Sequence, residues 1–167
     1  MKTSTPTQPP ERRDRLLREQ VHDTYKQRGQ LKEPTRCPGC GAVYHKGRWS
    51  WTAEVDDKAH ETLCSACHRT ADKYPAGEVV LEGGFAMQHK DEILNLVRKT
   101  EATENKDHPM NRIIDIRESG AQMVLTTTDT HLPRRIGKAV QAAWKGSLDI
   151  HFDPGGHFTR IAWRRDE

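Results

Sequence analysis

The sequence predicts an α+β protein in which a small cysteine-containing module precedes a larger domain of strands and helices. Three observations support this prediction. The four cysteines all lie within residues 36–72. Strand and helix patterns follow one another regularly from about Tyr74 to the C-terminus. Residues 1–35 contain few large apolar side chains, so we expect them to form a flexible or marginally helical arm.

The larger predicted domain, residues 73–167, shows the order β-α-β-β-α-β with one additional strand at its end. This order is typical of the ferredoxin-like, split βαβ arrangement. We expect its two helices to cover one face of an antiparallel sheet. The predicted elements are a strand at 78–83, a helix at 88–105, a hairpin turned at Gly120, a second helix capped by Asp129 or Thr130 and ended by Gly146, and a final hairpin turned at 154–156.

The basic character of the chain is concentrated near its start. The formal net charge is +3, and the first 36 residues contain nine Lys and Arg against five Asp and Glu. Residues 12–27 have helical spacing with a thin apolar stripe, which predicts a helix that is marginal without a partner. The overall charge is therefore a weak argument for a basic folded surface.

The chain contains no apolar run of the roughly 18 residues that a membrane helix needs. Its first residues also lack the apolar segment of a signal peptide. We therefore expect a cytoplasmic protein with no membrane partner. Thiols stay reduced in that compartment, where cysteines bind metals more often than they form disulfides.

The cysteines form two C-x-x-C turns, Cys37 with Cys40 and Cys64 with Cys67, separated by 23 residues. Two such turns can direct four thiolates at one point and supply the tetrahedral sulfur set that Zn²⁺ accepts. Four protein ligands leave no open position, so the prediction is a zinc ribbon whose metal is structural. Iron would accept the same sulfurs. A redox dithiol is the weaker alternative, because neither pair lies in a thioredoxin-like βαβ unit.

The segment after the first cysteine pair is predicted to form a hairpin turned at Lys46 and Gly47. It combines basic and aromatic side chains, which suit RNA because they neutralise phosphates and stack on unpaired bases. Its tryptophans are assigned with equal weight to the small core of the ribbon. Simple alternation places Tyr44, Lys46, Arg48 and Ser50 on one side and His45, Trp49 and Trp51 on the other.

The predicted helix after Asp129 is the second basic feature. Residues 129–165 contain seven basic and three acidic side chains, whereas residues 72–118 contain seven and ten. We therefore expect the larger domain to have a positive side, which favours nucleic-acid binding. The candidate nucleic-acid contacts are Lys46, Arg48, Arg134, Arg135, Lys138, Lys145, Arg164 and Arg165.

No catalytic motif is found in the sequence. The Gly83-Gly84 pair lacks the pattern of a phosphate loop, and neither G-x-S-x-G nor H-E-x-x-H occurs. We therefore expect a protein without enzymatic activity or a small-molecule substrate, which binds structured RNA. The rival interpretation is a protein-interaction adaptor, in which the ribbon is purely structural and the sheet docks a protein.

Several motifs carry a family resemblance: "CPGCG", "LCSACHR", "YPAGEVVLEG", "THLPRRIGKAVQAAWKG" and a final Trp-Arg strand. Over about residues 36–165 the chain resembles bacterial relatives of the archaeal and eukaryotic adaptor for nuclear export of the large ribosomal subunit, the nonsense-mediated-decay protein three family. That family usually has more than one cysteine tetrad and further domains, so an export role is not implied. The resemblance implies Cys37, Cys40, Cys64 and Cys67 as metal ligands, Arg134, Arg135 and Lys138 as ribosomal RNA contacts, and ribosomal proteins as further partners.

Overall fold

The computed structural model describes Tyr25 and residues 29–51 and 54–167. The predicted helix at 12–27 therefore lies, apart from Tyr25, outside the described residues. Tyr25 packs against the cysteine-containing module. Its hydroxyl donates a hydrogen bond to Asp72 Oδ2 at 2.8 Å, and its ring stacks on Tyr74 with centroids 5.6 Å apart.

The first sheet belongs to the cysteine-containing module and has the strand order β3-β2-β1-β4. The chain folds from this sheet into the first helix, α1. Thr35, which we assigned to the arm, is buried and forms the start of β1. The elements are β1 (Thr35–Arg36), β2 (Val43–His45), β3 (Arg48–Ser50), β4 (His60–Glu61) and α1 (Ser65–Asp72).

The larger domain shows the predicted succession of strands and helices, with one additional short helix, α2. The hairpin turn at Gly120 is present, and this glycine has a φ of +61°. The elements are β5 (Gly77–Glu82), α2 (Gly84–Gln88), α3 (Lys90–Asp107), β6 (Ile113–Ser119), β7 (Gln122–Thr127), α4 (Leu132–Trp144), β8 (Ser147–Phe152) and β9 (Thr159–Arg164).

The second sheet differs from the expected antiparallel one in the place of its last strand. The strand order is β6-β7-β5-β9-β8, and β9 runs parallel to β5, so the sheet is mixed. The side chains explain this order. Ile161 and Trp163 on β9 are fully buried, whereas β8 contains only partly buried and exposed residues. The strand with the larger buried side chains therefore takes the interior position, and β8 takes the edge.

Helices α3 and α4 share one hydrophobic core with the second sheet. Ile93 and Val97 of α3 and Ile136 of α4 are fully buried there. Helix α4 approaches β9 closely at Gly137, where a Cβ atom would lie 2.6 Å from Ile161 Cγ2. Buried residues alternate with partly buried or exposed ones along β5 and β9, and the latter face away from this core. Within the described part of the chain, no helix is long and apolar enough to cross a membrane.

Candidate metal centre and the basic surface around it

The first cysteine pair lies in the turn between β1 and β2. The Cys37 amide donates to the Ala42 carbonyl at 2.8 Å, and the Gly41 amide donates to the Cys37 carbonyl at 2.9 Å. Gly41 has a φ of +81°, a conformation that glycine adopts without strain. This turn places Cys37 and Cys40 on the same side as the second pair.

The second cysteine pair begins helix α1. Cys64 is the N-cap residue, and its sulfur accepts a hydrogen bond from the Cys67 amide at 3.3 Å. The Cys64 amide in turn donates to Cys37 Sγ at 3.3 Å. Gly39 leaves room for the fourth sulfur, because a Cβ atom there would lie 3.1 Å from Cys67 Sγ. A hydrogen bond from the second turn to a sulfur of the first turn thus joins the two turns.

The four sulfurs form a cluster with the dimensions of a metal site. The Sγ atoms of Cys37, Cys40, Cys64 and Cys67 all lie within 4.8 Å of one another, and none forms a disulfide. The Cys40 and Cys64 sulfurs are 3.8 Å apart. A tetrahedral site with metal–sulfur bonds of about 2.3 Å has sulfurs about 3.8 Å apart. The residues therefore fit a four-coordinate metal ion, as the sequence predicted.

The surroundings of the cluster act on its thiols in opposite ways. Burial disfavours the thiolate of Cys37, but hydrogen bonds from the backbone amides of Cys64, Cys40 and Gly39 lower its pKa to about 7. Burial raises the pKa of Cys64 and of Cys67. Four thiolates this close together repel one another, so the set is suited to a cation that replaces their protons.

Arg112, from the loop before β6, contacts the sulfur cluster directly. Its Nη1 donates to Cys67 Sγ at 3.2 Å, and its Nη2 donates to Cys40 Sγ at 3.1 Å. Burial disfavours the charged guanidinium, but these hydrogen bonds raise its pKa, so it stays charged. Sequence analysis missed this residue. A lone arginine 45 residues after Cys67, in the other domain, gives no local signal.

The hairpin turn lies where the sequence predicted it, but the residues that share each face of the hairpin differ from the prediction. Lys46 and Gly47 have φ values of +51° and +76°, which makes a two-residue turn of the type that glycine favours. Across such a turn Tyr44 pairs with Trp49, and their rings are 5.5 Å apart on one face. The predicted alternation, which separated these two residues, is wrong because a two-residue turn sets opposite residues on the same side.

The two tryptophans of the hairpin have different environments. Trp49 is partly buried and packs against the cysteine core. Trp51 is 38% exposed and donates a hydrogen bond from Nε1 to the main-chain oxygen of Asn105 at 2.7 Å. Trp49 thus contributes to the core of the cysteine-containing module, and Trp51 links this module to α3.

The structure divides the eight candidate nucleic-acid contacts into two groups. Arg135 forms an ion pair with Glu104 of α3 at 3.3 Å, and Arg164 pairs with Asp166 at 3.1 Å. The Arg165 guanidinium donates to the Trp144 carbonyl and lies 3.9 Å from the Phe85 ring centroid. These three arginines form intramolecular contacts, although the side chains of Arg135 and Arg164 stay 67% and 57% exposed. The ion pairs among the described residues leave the other five unpaired, namely Lys46, Arg48, Arg134, Lys138 and Lys145.

A groove of about 860 Å³ lies between the hairpin and the larger domain. The hairpin contributes Tyr44, Arg48 and Trp49 to its lining. The larger domain contributes the loop after α3 and residues 128–130, which lead into α4. The N-cap residue of this helix is His131 rather than the predicted Asp129 or Thr130, but the Asp129 carboxylate binds the start of the helix, with Oδ2 accepting from the His131 amide at 2.8 Å.

Comparisons with known proteins yielded no similarity to report: no family model, curated protein or solved structure matches this chain.

Proposed function

We propose that this chain is a cytoplasmic, non-enzymatic zinc-ribbon protein that binds structured RNA, with the ribosome as its place of action. The metal-binding part is supported by the closed set of four sulfurs, whose spacing suits tetrahedral coordination. Zinc is the proposed ion, and it acts as a structural staple for a module with a very small core.

The observation that carries the RNA proposal is the groove between the hairpin and the larger domain. Arg48 lines it directly, and residues 128–130 on its other wall lead into α4, which carries Arg134 and Lys138. One basic residue of the hairpin therefore lines this surface, and two more lie on the helix that begins beyond its other wall. Their side chains are exposed, and the ion pairs described above do not involve them.

The chemistry of this groove suits RNA better than it suits a polyanion without bases. Cations along its edge would neutralise phosphates, which supplies affinity that depends on salt. Tyr44, which lines the groove and is only partly buried, offers an aromatic ring to a nucleotide that is splayed out of a loop or bulge. Structured RNA presents both features together. The ribosomal location is supported by the family resemblance of the cysteine pairs and of the α4 motif.

The proposal is tested by binding of the zinc-loaded chain to ribosomes and to isolated ribosomal RNA. We expect the double variants Lys46→Ala/Arg48→Ala and Arg134→Ala/Lys138→Ala each to bind about tenfold or more weakly, at unchanged metal content. The matched control is Arg117→Ala/Arg160→Ala. It removes the same charge from arginines that pair with Asp115 and Glu78 on the outer face of the second sheet. Equal losses in all three variants would contradict a localised RNA site.

The second candidate function is a protein-interaction adaptor, and one observation favours it. The face of the second sheet that points away from α3 and α4 carries a partly buried Val80 between Glu78 and Glu82. These charges pair with Arg160 and Arg164 of β9. A protein could dock on such a face. Co-sedimentation with ribosomes that survives RNase treatment and high salt would support this adaptor and contradict RNA binding.

A further inference from the structure

The Arg112 guanidinium uses all of its nitrogens at the junction between the two domains. Nη2 also lies 3.6 Å from Cys64 Sγ, so the fork reaches three of the four sulfurs. Nε donates to the Pro109 carbonyl at 2.7 Å, which fixes the fork relative to its own loop. No ion pair among the described residues involves Arg112. The sulfurs are therefore the acceptors that this half-buried cation contacts.

The loop that presents Arg112 is held firmly by the larger domain. The Arg112 amide donates to Thr128 Oγ1 at 3.0 Å, and the Thr128 amide donates to the Arg112 carbonyl at 2.9 Å. The Asn105 side chain donates to the Pro109 carbonyl at 3.3 Å. Met110, next to these residues, packs against the cysteine core. Short contacts thus connect the sulfurs to Thr128, directly after β7, and to α3.

Charge gives this contact a physical role. A divalent ion with four thiolates carries a net charge of −2, and burying such a charge is costly without a cation nearby. Arginine suits the task because its planar fork can donate to several acceptors while staying charged. Outer partners of this kind orient metal ligands and tune the metal–sulfur bonds.

We propose that Arg112 is a positioning residue of the metal centre and that the loaded centre, through Arg112, holds the ribbon against the larger domain. The metal-bound sulfurs present a fixed anionic surface, and the guanidinium docks on it. Metal occupancy thereby keeps the groove between the two domains in its formed state. The proposal rests on the metal-binding part of the proposed function and is independent of RNA binding.

The test uses the full chain loaded with Co²⁺ in place of zinc, because cobalt–thiolate charge transfer reports on the sulfurs. Hydrogen bonds stabilise the sulfur lone pairs, so Arg112→Gln is expected to shift the charge-transfer band to lower energy. Arg112→Lys keeps the charge without the fork and is expected to shift it less. The control is Arg117→Gln, on an exposed β6 arginine that pairs with Asp115. It is expected to leave the band unchanged.

The second readout is amide hydrogen exchange of the same variants loaded with zinc. In Arg112→Gln we expect exchange at least about tenfold faster at 105–112 and 46–51, because a charge-assisted contact is lost. The paired strands β5, β7 and β9 serve as the internal reference. An unchanged band together with unchanged exchange would overturn the proposal. A chain that shows no cobalt–thiolate band at all would instead overturn the metal assignment. If Arg112→Gln does not fold, Arg112→Lys carries both readouts.

Discussion

Trp51 donates a hydrogen bond from its indole Nε1 to the main-chain oxygen of Asn105 at 2.7 Å. This bond joins the end of the ribbon hairpin to α3. Replacement by phenylalanine keeps an aromatic ring and removes the donor. We expect Trp51→Phe to lower the free energy of unfolding of the zinc-loaded chain by about 0.5–1 kcal/mol, measured by urea denaturation. The bond is partly exposed, so water can replace the donor and the cost stays small. An unchanged midpoint would show that this contact does not stabilise the docked ribbon.

The cysteine cluster predicts one bound metal ion per chain. Cys64→Ser is expected to abolish metal binding, because Cys64 is buried and its sulfur also accepts a hydrogen bond from the Cys67 amide. Elemental analysis should find zinc in the parent protein and none in the variant. Ser65→Ala, at the neighbouring position, is the control and should keep the ion. Acidification should release the metal, since protons compete for the thiolates. Metal retention by Cys64→Ser would contradict a closed four-sulfur site.

Asp129 caps α4 at a cost in charge burial. Its Oδ2 accepts from the His131 and Leu132 amides at 2.8 and 3.1 Å, whereas Oδ1 has no hydrogen-bond partner among the described residues. Asp129→Ala removes the cap and should cost about 1 kcal/mol of stability at neutral pH. Asp129→Asn keeps an acceptor for the amides and should cost less. Equal losses in both variants would contradict the capping role.

The same carboxyl predicts a pH dependence. Burial raises the pKa of Asp129 above its ordinary value of 3.8. Because the folded-state pKa lies above the unfolded-state one, the contribution of this group to stability is complete below the ordinary value and is lost as pH rises through the raised value. The stability of Asp129→Asn relative to the parent should therefore increase as pH rises from about 4 towards neutrality. A relative stability that falls over this range would show that the shift has the opposite sign.

Glu33 fixes the turn of the ribbon hairpin. Its carboxylate accepts hydrogen bonds from the Gly47 and Lys46 amides at 2.9 and 3.0 Å, and these bonds lower its pKa. Its contribution to stability is therefore present above the ordinary value of 4.5 and lost as pH falls through the lowered one. The Gly47 amide shift should titrate below pH 4.5, and Glu33→Gln should remove this titration. In the control Glu61→Gln, which alters the partner of Arg36, the titration should persist. A midpoint at or above the ordinary value would contradict the turn contact.

The parts of the structure that local sequence determines were predictable. Each C-x-x-C pair forms its own turn, and Asp129 caps its own helix, so both could be inferred from neighbouring residues. Arg112 could not, because its partners lie 45 and more residues away in the other domain. The interior place of β9 depends on how the buried Trp163 competes with β8 for the core. Which residues share a face of the hairpin depends on the two-residue turn at Lys46 and Gly47. This turn pairs Tyr44 with Trp49, so simple alternation along the sequence does not continue through it.

The salt dependence of RNA affinity tests the central claim most directly. A labelled fragment of ribosomal RNA is titrated with the zinc-loaded chain at several salt concentrations. With phosphate contacts from Lys46, Arg48, Arg134, Lys138 and Lys145, we predict a slope of about −4 for log K against log salt. Each of the two double variants on the hairpin and on α4 should reduce this slope by about 2. A slope near zero, or one that neither variant changes, would contradict RNA binding by this surface.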